Sequence, residues 1–171
     1  NEALLQINTY TSQNYNHRFF VNATPGTGDL FYGAQWHTWL AGGLGAGGKS
    51  LYVLDITNPA NFSEANASSL VIKELSTTSL TCSNVASCGD DLGYVYGTPI
   101  MRRMHNGNWA LIWGNGFNSQ NGTAAVFIAS IDAANGAWTV YELNTGYGGS
   151  KDPTGQNRPD GIGYEIGRAH V

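Results

Sequence analysis

Apolar residues along this chain come in short runs rather than in helical stripes. Leu51-Tyr52-Val53-Leu54-Asp55-Ile56-Thr57 is rich in aromatic and β-branched residues and stops at Asn58-Pro59. That pattern predicts a strand over 51–56, closed by a turn, with Tyr52 and Leu54 on one face. Phe127-Ile128-Ala129-Ser130-Ile131-Asp132 reads the same way and closes on Asn135-Gly136. No window of consequence sustains a 3.6-residue period. The chain predicts short strands joined by turns.

The runs repeat in order. Val21-Asn22-Ala23-Thr24-Pro25 is echoed by Val95-Tyr96-Gly97-Thr98-Pro99, Trp36 and Gly43 by Trp109 and Gly116, and residues 51–55 by 127–132. Finally, Val71-Ile72-Lys73-Glu74-Leu75 is echoed by Thr139-Val140-Tyr141-Glu142-Leu143. Four antiparallel strands in tandem copies are the unit of a β-propeller blade, which buries its faces only against neighbours in a ring. The fold expected is all-β: a partial propeller with two four-stranded blades, at 21–75 and 94–143, of a larger ring. Residues 1–20 would be a preceding tail or loop, and 147–163 a loop to the next blade. The whole of 1–164 then reads as a fragment of one propeller domain. Residues 165–171 break the repeat and resemble a sequencing adapter read through as protein, so they stand outside the fold reasoning.

One motif competes with this reading. Gly43, Gly48, Lys49 and Ser50 complete the phosphate-loop pattern G-x-x-x-x-G-K-[ST], and Gly43, Gly45 and Gly48 fit G-x-G-x-x-G. Both motifs need a helix N-terminus after the glycines to hold phosphate. Here a strand follows, so residues 43–50 are expected to be a strand connection and no nucleotide is expected.

Composition sharpens the picture. Of 171 residues 23 are glycine and only 12% are charged, against about a quarter in average soluble domains. A net charge of −4, with no basic stripe, argues against nucleic acid as a partner. No apolar run is long enough to span a bilayer.

With the repeat in place, a resemblance becomes specific. Tyr15, His17, Phe19, Phe20, Val21 and Asn22, then Thr24, Pro25 and Asp29, then Trp36, Thr38, Leu40, the glycine-rich 42–48 and the strand 52–59 follow one family's pattern. A second block, D-L-G-Y-x-Y-G-x-P followed by W-x-x-[IV]-[FW]-G-N-G-[FY]-N-S, matches 91–99 and 109–119. Over residues 14–146 the chain resembles the β-propeller of the PilC/PilY1 family of type IV pilus biogenesis factors. Only Asn22 departs, where Asp is common. The resemblance implies a non-enzymatic protein of Gram-negative bacteria, exported to the periplasm, outer membrane, cell surface or pilus tip. It also implies support of pilus assembly and adhesion, with pilus subunits or minor pilins and a host or abiotic surface as partners. Calcium is implied for the full-length family protein, on a D-x-D-x-D-G-x-x-D loop expected beyond this chain. Asp152, Asn157 and Asp160 lack the alternating spacing that wraps oxygen ligands around one ion, and Asp132 stands alone as an acid in its turn. No cofactor, catalytic group or metal ligand is expected here.

The remaining chemistry-bearing residues have structural readings. In an exported chain Cys82 and Cys88 are expected to form a local disulfide pinning a polar loop; in a cytosolic one they would be free thiols. Their spacing does not suit zinc. Trp36, Trp39, Trp109, Trp113 and Trp138 are expected in packing between blades, an exposed one being able to serve as a sugar platform. His37 reads as a structural group, and Asp55 and Asp132 as strand-end acceptors for turn amides. The Gly-x-Ser-x-Gly elbow is absent. The alternatives are a quinone-dependent dehydrogenase-like propeller, whose adjacent Cys-Cys pair is missing, and a generic outer-membrane scaffold propeller.

Overall fold

The computed structural model describes residues 4–163. Its strands are β1 (Gly26–Tyr32), β2 (Gln35–Gly43), β3 (Ser50–Asp55), β4 (Val71–Ser76), β5 (Ile100–Arg103), β6 (Trp109–Gly114), β7 (Thr123–Ile131) and β8 (Trp138–Gly148). They form two antiparallel sheets, ordered β1-β2-β3-β4 and β5-β6-β7-β8, so every strand pairs with its neighbour in the chain. Among the described residues α-helix is confined to Ala67–Leu70, before β4.

Local chemistry sets each turn. β1 and β2 meet across Gly33 and Ala34, at φ 57° and 63°, with Tyr32 opposite Gln35. Two left-handed residues give a two-residue connection whose twist matches its strands. Asp55 and Asp132 end equivalent strands and accept from amides two residues on, Thr57 N at 2.8 Å and Ala134 N at 2.7 Å, as expected of turn-forming aspartates.

Alternation along each strand places one face inward. In β7, Ala125, Phe127, Ala129 and Ile131 are buried while the residues between them are half-exposed; in β3 Leu51 and Val53 are buried and Tyr52 and Leu54 are not. These faces meet in a single core of Leu30, Trp39, Leu51 and Val53 from the first sheet and Met101, Leu111, Trp113, Phe127 and Ile131 from the second. Trp39 crosses the junction and stacks on Trp138, centroids 5.4 Å apart at 16°. Truncating such a buried aromatic costs about 3–5 kcal/mol, so the two sheets are strongly coupled. β1 runs close to β5 because Gly28 has no side chain: a Cβ there would lie 2.8 Å from Met101 Cβ.

Some expected boundaries move. The stretches 21–25 and 95–99 are not strands; they lead into β1 and β5. Each ends in a proline, which lacks the N–H a ladder needs. The first strand of each sheet starts one residue later, at Gly26 and Ile100. Residues 4–20 hold a 3-10 segment, Leu4–Thr11, and no strand. β8 runs to Gly148, past the expected start of the following loop. That loop folds back: Ile162 N donates to Asn115 Oδ1 at 3.0 Å, and Gly116 N to Ile162 O at 3.0 Å. Residues 165–171, read as an adapter sequence, lie outside the described residues.

Candidate functional site

The phosphate-loop look-alike lies where the two sheets join. After Gly43 the chain makes a 3-10 turn, Gly45–Gly47, and enters β3 at Ser50. Its amides are already taken. Gly45 N donates to Val95 O at 3.1 Å, Ala46 N to Asn22 Oδ1 at 2.8 Å, and Gly47 N to Leu44 O at 3.1 Å. Lys49 Nζ sits 5.4 Å from the centroid of the Tyr94 ring, a cation–π distance. With a strand following and these three amides engaged, the loop lacks the helix N-terminus and the convergent amides of a phosphate cradle. It joins the sheets. Asn22 supplies a side-chain acceptor that the commoner Asp would supply equally.

The second sheet has a counterpart in Asn115, which is fully buried. Its Nδ2 donates to the Asp91 and Thr123 carbonyls at 2.8 and 2.7 Å, and its Oδ1 accepts from Ala125 N and Ile162 N at 3.1 and 3.0 Å. All its side-chain polar atoms are matched, so it ties three segments to the end of β6 at once: the stretch at Asp91, β7 and the loop at Ile162.

Cys82 and Cys88 are joined as a disulfide with Cα atoms 6.0 Å apart. The closed loop lies along β8. Ser83 N donates to Val140 O at 2.8 Å; Asn84 Nδ2 donates to Glu142 O at 2.8 Å while its Oδ1 accepts from Glu142 N at 3.0 Å. The Asn84 amide thus imitates a strand and covers part of an open sheet edge.

Beneath this loop lies a pair that sequence reading missed. Asp91 is 5% exposed and Glu142 2%. Asp91 accepts from Thr123 Oγ1 and from Asn121 Nδ2 at 3.0 Å. Glu142 Oε1 has only a long contact from Asn144 at 3.4 Å, and Oε2 has no partner. Burial, and then the negative Asp91 beside it, push the Glu142 carboxyl above the usual carboxylate range. Protonation of the Glu142 carboxyl relieves both effects. Cys82, Cys88 and Glu142 offer atoms within 4.8 Å of one another, but disulfide sulfurs are not the thiolates that bind metals. Alternation carried a faint signal: Glu142 falls on the inward register of β8, opposite Phe127.

The other singled-out residues lie apart. Asp152 accepts from Thr154 N at 2.9 Å, Thr154 Oγ1 at 2.8 Å and Arg158 N at 3.0 Å, bonds that hold its carboxyl below the ordinary range. Donors converging on that carboxylate do not fit a calcium ligand set. His37 stacks on Tyr32, centroids 3.9 Å apart, and lies 3.8 Å from Asp55. Trp39 and Trp138 pack between sheets and Trp113 stacks on Phe127. Trp36 departs from the packing expectation, being 62% exposed. It lies at the β1–β2 tip, one residue inside the turn, where the strand has left the core.

Two four-stranded meanders in tandem, packed face to face and joined by glycine loops, make this chain part of a β-propeller. Comparison with known proteins is more specific. The sequence profile of the PilY1 beta-propeller domain matches residues 2–162, and the chain belongs to that family. It is 35% identical over 165 residues to the type IV pilus biogenesis factor PilY1 of Pseudomonas aeruginosa, covering 92% of this chain and 13% of the relative. A PilY1 homolog of Xylella fastidiosa is 34% identical over 131 residues, 77% of this chain and 8% of that protein. The crystal structure of the Pseudomonas aeruginosa PilY1 C-terminal domain superposes with a TM-score of 0.61 at 31% identity, over 96% of this chain and 27% of that one. The chain therefore spans only a small share of the length of these relatives.

Proposed function

We propose that this chain is the propeller portion of a non-enzymatic type IV pilus biogenesis factor that supports pilus assembly and surface attachment at the pilus tip. The observation that carries the reading is the identity of 35% across 92% of the chain to a protein named for pilus biogenesis. The site agrees with it: the glycine-rich signature joins sheets, and the strand-end aspartates hold turns, so the conspicuous motifs are scaffold. Partners of this kind are pilus subunits or minor pilins, met in the periplasm, at the outer membrane or on the cell surface. No helix of the described residues is long and apolar enough to cross a membrane.

The test is genetic. Deleting the gene should abolish or sharply reduce surface pili counted by electron microscopy, and the full-length gene should restore them. A deletion strain with normal piliation and normal attachment would refute the proposal.

A further inference from the structure

Trp36 is an anomaly among the tryptophans. Trp39 and Trp113 are each 1% exposed, whereas Trp36 is 62% exposed. An aromatic of that size left in water forgoes a large burial term, and exposed apolar patches of this kind mark binding surfaces. Its ring is nevertheless held in place. Phe31, its cross-strand partner, meets it at 5.4 Å and 62°, and Trp109 of β6 meets it at 6.2 Å and 70°. Both contacts are edge-on, so neither neighbour lies parallel on the indole. Because one contact comes from each sheet, the plane of the ring is fixed relative to both.

Trp36 borders two cavities. One, of about 340 Å³, is lined by Phe31, Trp36, Trp109, Arg103, Gly107 and Ala133. Gly107 sits at φ +90° with open space above it, which leaves the cavity mouth clear. The other is a polar groove of about 230 Å³, with Gln35, His37, Asp55, Asn58, Asn61 and Ser69 in its walls. Among the described residues the side chains of Arg103, Gln35 and Asn61 have no hydrogen-bond partner. The cleft therefore joins a fixed aromatic wall to unengaged donors and acceptors.

We infer that this cleft is a saccharide-binding site for a neutral pyranose oligosaccharide, with Trp36 as its stacking platform. The face of an indole is electron-rich and complements the polarised C–H face of a sugar ring. The hydroxyls of the same ring need donors and acceptors at its rim, which the polar groove and Arg103 provide. Arg103 lines one cavity and Asp55 the other, and their charges balance, which favours a neutral sugar over an acidic one. Nucleic acid does not suit a chain of net charge −4. The cleft is built from hairpin tips at one end of the two sheets, whereas a neighbouring blade covers a sheet's face, so ring closure leaves it open. The inference rests on the attachment part of the proposed function and supplies the chemistry of what is attached to.

The experiment uses full-length protein and three neutral probes, cellohexaose, chitohexaose and maltohexaose, titrated by calorimetry. At least one should bind with a sub-millimolar Kd. Trp36→Ala should weaken it about tenfold or more, as loss of a central aromatic anchor does, and Trp36→Phe should retain most of the affinity. Gln35→Ala, an exposed polar change with an unaltered melt, should weaken it about threefold and serves if Trp36→Ala disturbs the fold. The Trp36→Ala strain should keep normal numbers of pili, which separates this inference from the biogenesis reading. Failure of all three sugars to bind would overturn it, as would unchanged affinity in Trp36→Ala. Binding of purified pilin that disappears with Trp36→Ala, with no sugar binding, would likewise overturn it and make the cleft a protein interface.

Discussion

Gly42 and Gly43 are adjacent, alike in sequence, and should respond to a methyl group to very different extents. A Cβ on Gly43 would lie 2.7 Å from Val95 Cβ and 3.0 Å from the Val95 carbonyl carbon, with the carbonyl oxygen nearer still. Val95 is 1% exposed and its carbonyl accepts the Gly45 amide at 3.1 Å. The obstacle is therefore backbone at the sheet junction, and it has nowhere to go. Overpacking costs about 1–3 kcal/mol, and stretching the Gly45–Val95 hydrogen bond adds about 1 kcal/mol. Relief of unfolded-state entropy by Gly→Ala returns about 0.4–1 kcal/mol. The expected net loss for Gly43→Ala is about 1–3.5 kcal/mol. A Cβ on Gly42 instead meets the Tyr52 hydroxyl at 2.6 Å and its Cζ at 2.8 Å. That is the far end of a half-buried side chain, which can swing outward, so Gly42→Ala should cost less than about 1 kcal/mol. Urea titration followed by tryptophan fluorescence measures both, since Trp39 and Trp138 report on the junction. Equal stability of Gly43→Ala and wild type, or a larger loss for Gly42→Ala, would refute the account of the glycine loop as a close-packed junction.

Two further outcomes follow from the β8 edge. Replacing Cys82 and Cys88 together by serine opens a loop with a sequence separation of 6 and should cost about 2 kcal/mol in a thermal melt under oxidising conditions; under strong reductant wild type and variant should converge. Glu142→Gln should alter the pH dependence of stability. A carboxyl held above its usual range in the folded state contributes fully when protonated, and its contribution fades as pH rises through the raised folded value. Gln is uncharged beside Asp91 at every pH, so the variant should be about 1 kcal/mol more stable than wild type at about pH 8 and gain nothing at about pH 4. Parallel stability curves for the two proteins would rule out the raised Glu142 carboxyl.

The strands most legible in the sequence were those whose alternation and turn chemistry agree. Leu51 and Val53 face inward beside outward Tyr52 and Leu54, and Asp55 closes the strand as Asp132 closes β7. Less legible were β1 and β5. Gly26-Thr27-Gly28-Asp29 looks like a turn, and it becomes a strand because Gly28 lets it lie against Met101 of the other sheet. Only the packed pair of sheets makes those glycines favourable in a strand, so the echoed valine-to-proline stretches drew attention to the wrong side of the boundary. The odd spacing of Trp36 and Trp39 did carry information: in one strand residues three apart face opposite ways, so both could not fill the same core.

The acid pair shows a limit of a different kind. Asp91 lies in a glycine-rich block and Glu142 in a repeat whose first copy also has a glutamate, Glu74, so neither stands out locally. What distinguishes Glu142 is tertiary. Its β8 register points it inward beside Phe127, the disulfide loop roofs it through Asn84, and Asp91 arrives from a distant segment. The equivalent Glu74 faces the side of β4 that no such loop covers and is only half-buried. One residue type in one repeat position thus meets two environments, because Glu74 pairs with the outward Tyr52 and Glu142 with the inward Phe127. Where tandem repeats carry matching charges, the register of each strand against its neighbour decides which charge is buried, and the loop between the copies then roofs the buried one. Cys82 and Cys88 mark that loop in the sequence.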